Sequence, residues 1–209
     1  MYNILRKTEI LIDSREFKKE KKYKFLNRKK VCSNSKFNVF FDHVISPDNK
    51  EIKDFLIVKP KISVNDRIVG ICVLPIYKNK FCLMNGWRHQ FDEFIIQAPA
   101  GFVEAEEEPE ITALRELEEE TSLICKKKDL ISLGNYLPDA GLIEGRVALY
   151  LAKNCIKSDA KHDYEIGMSE ISYYTDSSLK KILFEQNNIG GSTFITCYRA
   201  LSYMSNINN

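Results

Sequence analysis

No stretch of this chain approaches the roughly 18 consecutive apolar residues that a membrane-spanning helix requires. Its first residues, "MYNILRKTEILIDSREFKKEKK", lack the apolar core of a secretory signal. There is no C-x-x-C pair: the six cysteines stand apart at 32, 72, 82, 125, 155 and 197, several of them in apolar runs such as "GICVLPIY" and "FCLM". That scatter excludes a zinc ribbon and argues against a disulfide frame. It points to reduced core residues in a cytoplasmic protein. Internal repeats and Pro/Gly/Ser-rich linkers are also missing, so 209 residues imply one substantial domain with at most a small extension.

A large net charge is absent too, since the formal balance is only +2. The distribution is uneven: residues 1–36 hold 12 Lys/Arg against 4 Asp/Glu, and the remainder is net acidic. The block "REFKKEKKYKFLNRKK" has the charge of a nucleic-acid arm but not the regular aromatic interleaving of a stacking surface. The plainer reading is a solvated, partly disordered lead-in, with nucleic acid an unlikely partner.

From Phe37 the chain alternates β runs with helical segments. "FNVFFDHVI", the turn "SPDNKE" and "IKDFLIVKP" predict a hairpin. "DRIVGICVLPIYKNKFCLMNGW" predicts two strands around a polar turn, and "DEFIIQAPAGF" a short strand broken by Pro99 and Gly101. A helix is expected from about Pro109, with Ile111, Ala113, Leu114 and Leu117 as its apolar face. Further strands are expected in "DLISLGNYLP", "RVALYLAKNCI" and "SEISYYT", with the loop "DAGLIEG" between the first two. "DSSLKKILFEQ", with Asp or Ser as N-cap, and "STFITCYRALSYMS" predict two more helices. Mixed strands and helices with short loops indicate an α/β or α+β core.

The densest signal is "GFVEAEEEPEITALRELEEETSLI", Gly101 to Ile124, in which nine of 24 residues are Glu. On a helix starting near 109, Glu116, Glu119 and Glu120 share one face, and Arg115 lies one turn before Glu119. Such a face is either a solvated acidic surface or a site for a hard divalent cation, which prefers oxygen ligands.

The spacing resembles the box of the Nudix family, G-x5-E-x7-R-E-U-x-E-E-x-G-U, with U aliphatic. Gly101, Glu107, Arg115, Glu116, Leu117, Glu119, Glu120 and Leu123 match, and Ser122 replaces the last glycine. The flanks resemble the ADP-ribose pyrophosphatase branch: Trp87–Arg88 after a strand, the "PAG" turn at Pro99–Ala100–Gly101, and "DAGLIEGRVALYLA" later on. The resemblance implies an α/β/α sandwich with a mixed sheet and a small N-terminal antiparallel sheet. It divides the chain into a basic extension (1–36), an N-terminal β-sheet region (37–65) and a Nudix domain (66–205).

What the resemblance implies for the site follows residue by residue. Glu116 and Glu120 would bind Mg²⁺ or Mn²⁺, with Glu119 a direct or water-mediated ligand and the Ala100 carbonyl completing the set. Arg115 would orient the glutamates, Glu107 would support the loop–helix junction or bind metal, and Gly101 would permit the tight turn. Arg88 would hold phosphate oxygens, and Trp87 would stack on a base unless it is a core or interface aromatic. His89 reads as a polar loop residue. Gln97 stands where the branch often has Glu. The branch's water-activating Glu falls opposite Gly145, with Glu144 one position earlier, so Glu144 is the candidate base. The expected activity is Mg²⁺-dependent cleavage of ADP-ribose or a related nucleoside-diphosphate sugar by a homodimer. The competing reading is a non-catalytic Nudix module that binds a nucleotide as sensor or scaffold.

Overall fold

The structure is a computed structural model and describes residues 22–159 and 171–207. Residues 1–21 of the basic extension, and the start of "SEISYYT", lie outside it. Strands β1 (Lys24–Ser33), β2 (Phe37–Ile45) and β3 (Glu51–Pro60) form a three-stranded antiparallel sheet. The β2–β3 hairpin is the one expected from its turn residues. Ser46 accepts the Lys50 N–H on its hydroxyl at 3.0 Å, and Asn49 takes the left-handed conformation such a turn demands.

Strand β1 corrects the reading of 1–36 as a lead-in: from Lys24 onward this segment is ordered and paired. It is the edge of the sheet, and every one of its residues is exposed. A strand with no buried face carries no alternating apolar signal, which is why charge hid it.

The second sheet contains β4 (Ile68–Tyr77), β5 (Lys80–Arg88), β6 (Glu93–Gln97), β7 (Ala100–Phe102), β8 (Leu123–Ile124), β9 (Leu130–Tyr136), β10 (Arg146–Lys157) and β11 (Ser172–Tyr174). Its main path runs β11-β5-β4-β10-β8, with β6 on β5, β7 on β4 and β9 on β10. Strands β4 and β10 pair in parallel; the other pairings in this sheet are antiparallel.

Helices cover both faces, so β4 is buried from Ile68 through Pro75 instead of alternating. On one face Ile71, Val73 and Tyr150 pack with Ala113 and Leu117 of α1 (Pro109–Thr121). On the other, Cys72, Leu74, Leu149 and Leu151 pack with Leu179 of α2 (Asp176–Glu185) and with Cys197, Ala200 and Leu201 of α3 (Gly191–Ile207). This is the expected α/β/α sandwich with a small antiparallel sheet beside it. No helix among the described residues is long and apolar enough to cross a membrane.

Three local details differ from the sequence reading. The buried stripe of α1 is Thr112, Ala113, Leu117, Glu120 and Thr121, and Ile111 is 46 % exposed. Helix α2 is capped by Thr175, whose hydroxyl accepts the Ser178 N–H at 3.2 Å, and not by Asp176 or Ser177. All six cysteines are free, as expected, but Cys32 on β1 is exposed and so is no core residue.

Candidate active site

Helix α1 begins at Pro109, whose missing N–H suits the first turn, and ends at Ser122 in the left-handed conformation (φ 54°, ψ 27°). The Ser122 N–H donates to the Glu118 carbonyl at 2.8 Å. The position where the family pattern has glycine is therefore a left-handed helix end, and serine adopts it here.

One guanidinium organises the acidic face. Arg115 Nε and Nη2 donate to the two carboxylate oxygens of Glu107, each at 3.2 Å. Its Nη1 donates to Glu116 Oε1 at 2.7 Å and Glu119 Oε2 at 3.0 Å. Nη2 also reaches the Phe102 carbonyl at 3.4 Å. Hydrogen bonding to Glu107, then to Glu116 and Glu119, raises the Arg115 pKa. In return the Glu107 carboxyl is held below its ordinary value, chiefly by Arg115, with the Thr112 hydroxyl and the Glu104 N–H assisting. Glu107 thus ties the loop to the helix.

Glu120 lies in the buried stripe, 8 % exposed, and its Oε2 accepts the Ala100 N–H at 3.0 Å. Gly101 sits in strand β7 without a positive φ, so its role is not the turn conformation expected of it. A Cβ there would fall 1.9 Å from Glu116 Oε1. The glycine is needed because the Glu116 carboxylate occupies the space of a side chain.

Glu116, Glu119, Glu120, Ala100, Gly101 and Arg115 line one cavity of about 790 Å³. Arg88 reaches the same cavity from the end of β5. Its guanidinium donates to Oε1 of Gln97, which is 7 % exposed, so Gln97 aims the arginine.

Two expected members are elsewhere. Trp87 is 42 % exposed and packs edge-on against Phe94, with ring centroids 5.2 Å apart, outside the cavity lining. Side chains alternate along a strand, so the residue before Arg88 faces away. Glu144 lines a separate cavity of about 420 Å³ between the small sheet and the loop before β10. Its carboxylate meets Lys59 at 3.2 Å and Arg28 at 3.4 Å. Its N–H donates to the Val58 carbonyl at 2.9 Å, and the Val58 N–H donates to the Leu142 carbonyl at 2.9 Å. In this geometry Glu144 fastens the small sheet to the loop and stands outside the lining of the acidic cavity.

The sequence reading also missed Lys36, which lines the acidic cavity. It stands in the turn between β1 and β2, where Asn34 Oδ1 accepts the N–H groups of Lys36 (2.9 Å) and Phe37 (2.7 Å). No spacing rule connects a lysine at 36 with a helix starting at 109.

A divalent cation suits the donor set, although no three such side chains among the described residues converge closely enough to enclose an ion. Around Arg115, three carboxylates meet one guanidinium, and all the acidic donors are hard oxygens. The side-chain-free space at Gly101 also lets the Glu116 carboxylate sit against the β7 backbone.

Residues 66–166 match the family model described as "NUDIX domain". Over 83 residues the chain is 36 % identical to a methanol dehydrogenase activator from Bacillus methanolicus, covering 39 % of this chain and 43 % of that protein. The chain thus aligns with less than half the length of that relative. It is 27 % identical over 143 residues to an ADP-ribose pyrophosphatase of Bacillus subtilis (strain 168), covering 68 % of this chain and 72 % of the relative. Among solved structures, one described as an ADP compounds hydrolase superposes with a TM-score of 0.76 at 13 % identity, covering 91 % of this chain and 98 % of the other. At that identity the likeness concerns the fold.

Proposed function

We propose that this chain, whose residues 66–166 match the Nudix domain, is a Nudix hydrolase of the ADP-ribose pyrophosphatase-like branch that cleaves the diphosphate of ADP-ribose or a related nucleoside-diphosphate sugar with the help of Mg²⁺ or Mn²⁺. The observation that carries the reading is the Arg115 fork, which presents Glu116 and Glu119 to the cavity that Glu120 and the Ala100 backbone also line.

In this reading Glu116 and Glu120 hold the cation, with Glu119 and the Ala100 carbonyl as further oxygen donors. A bound divalent ion supplies neutralisation of phosphoryl charge and acidifies water. The chain's own groups bind and orient the substrate. Arg88, held through Nη2 by Gln97, would offer its planar guanidinium to phosphate oxygens. Arg115 fixes the carboxylates of Glu116 and Glu119 by hydrogen bonds. Water adds to one phosphorus, the bridging P–O bond breaks, and ADP-ribose gives AMP and ribose 5-phosphate.

We further propose that the protein is a cytoplasmic homodimer, its three-stranded sheet packing on a second copy. The exposed β1 edge and the free thiols support this. The deciding experiment is a turnover screen of nucleoside-diphosphate sugars with Mg²⁺ and Mn²⁺, repeated in excess chelator. Monophosphate release that stops on chelation is expected. Full turnover in chelator overturns the metal assignment, and no turnover of any member overturns the reaction. Light scattering checks the dimer, against which a monomer mass would count.

A further inference from the structure

We propose that Lys36 is a substrate-binding residue that places a positive charge on the phosphoryl oxygens of a diphosphate held in the acidic cavity. The inference rests on the reaction proposed above and adds a residue that no box position supplies. Lys36 comes from the small sheet, whereas the rest of the acidic cavity's charged lining comes from the sandwich.

The turn that carries Lys36 is firmly built. Beyond the two N–H groups that Asn34 accepts, the Asn34 N–H donates to the Phe37 carbonyl at 3.0 Å, and the Lys61 N–H to the Lys36 carbonyl at 2.9 Å. Phe37 packs edge-on against Phe102 with ring centroids 5.6 Å apart, which fastens the turn to β7 beside Gly101. The backbone at Lys36 is therefore fixed relative to the acidic helix.

The side chain is exposed, and its ammonium lies over the Phe102 ring, 5.6 Å from the centroid. An exposed ammonium–ring contact is worth much less than a charge-assisted bond to phosphate. The lysine can exchange the ring for an anion at little cost. Arg115 is committed to Glu107, Glu116 and Glu119, and Arg88 is aimed by Gln97. Lys36 adds a mobile point charge to the fixed fork of Arg88. A diphosphate, which spreads its charge over two phosphoryl groups, suits such a pair.

The test compares Lys36→Met, which keeps the apolar stem over Phe102 but removes the charge, with Lys36→Arg, which keeps the charge. Binding of methylenediphosphonate, a non-hydrolysable diphosphate, is measured calorimetrically with Mg²⁺ present, beside KM and kcat for ADP-ribose and the thermal midpoint. Loss of one charge-assisted contact predicts about tenfold weaker binding for Lys36→Met, with the defect in KM exceeding that in kcat, near-normal binding for Lys36→Arg, and an unchanged thermal midpoint in both. Equal binding by wild type and Lys36→Met overturns the assignment, as does a loss explained by a lowered midpoint. If wild type turns over no nucleoside-diphosphate sugar yet loses diphosphate affinity on Lys36→Met, the Lys36 assignment stands and the reaction falls.

Discussion

The Glu116 carboxylate fills the place where Gly101 would carry a side chain: Oε1 lies 1.9 Å, and Cδ 2.2 Å, from the Cβ position. The clash of Gly101→Ala would fall on the flexible end of a glutamate and not on backbone. The variant should therefore fold, with Glu116 displaced. We expect activity to fall by at least about tenfold, the scale on which groups orienting metal ligands act, while circular dichroism and the thermal midpoint stay close to wild type. Normal turnover by Gly101→Ala would show that the placement of Glu116 does not matter.

Glu116→Gln and Glu120→Gln keep size and one acceptor oxygen each but lose charge. Glu120→Gln can still accept the Ala100 N–H, so its fold should hold. Each is expected to lower kcat/KM by about 100-fold or more, since even supporting groups around a metal cost 10–100-fold when removed. Mn²⁺ titration should show weaker activation in both. Near-normal rates in either would remove that residue from the metal set.

The Arg115–Glu107 pair makes stability sensitive to acid. The folded-state pKa of Glu107 is lowered from its ordinary value of 4.5, chiefly by Arg115. A depressed carboxylate contributes stability that is present above the unfolded pKa and lost as the pH falls through the folded one. Wild type should therefore exceed Glu107→Gln in urea midpoint at about pH 7, with the gap closing as the pH falls below the ordinary carboxyl value of 4.5 and through the lower folded one. A gap that does not change with pH would mean that packing, not charge, carries the effect. Arg115→Lys should not substitute, because an ammonium cannot span three carboxylates as the planar fork does.

Glu144 distinguishes a latch from a base. With its carboxylate on Lys59 and Arg28, Glu144→Gln should cost about 1 kcal/mol or less of stability. The kcat should stay within about threefold of wild type, well short of the 10²–10⁴-fold that loss of a general base brings. A kcat loss of that larger size would show that the loop before β10 moves Glu144 to the reacting water.

The sequence was most legible where chemistry is local. A helix brings Arg115, Glu116, Glu119 and Glu120 onto one face by its own period, so spacing alone located them. Gly101 was found for the wrong reason, because only the fold shows that a carboxylate eight residues beyond Glu108 comes back against β7. The period of Ile111 fits the apolar face, but the stripe that meets the sheet is centred on Ala113 and Leu117. Lys36 and β1 were illegible because both depend on a separate sheet docking through Val58 and Phe37. Glu144 shows the limit of resemblance: the aligned loop names the residue, but its ion pairs with Arg28 and Lys59, both distant in sequence, are visible only in the fold.

The parallel pairing of β4 with β10 has a temporal consequence. Val73 pairs with Tyr150 and Leu74 with Leu151, and both apolar clusters draw on both strands. Neither core can close until the chain has looped back across everything between them, a non-local step that slows folding. The acidic helix lies inside that excursion, and the cavity is also lined by Val147 of β10 and Ser192 of α3. A chain emerging from the ribosome can thus display the whole glutamate motif and still have no cavity. The site comes into being only when the later strand and helix arrive, and chains arrested before them carry the motif without the pocket.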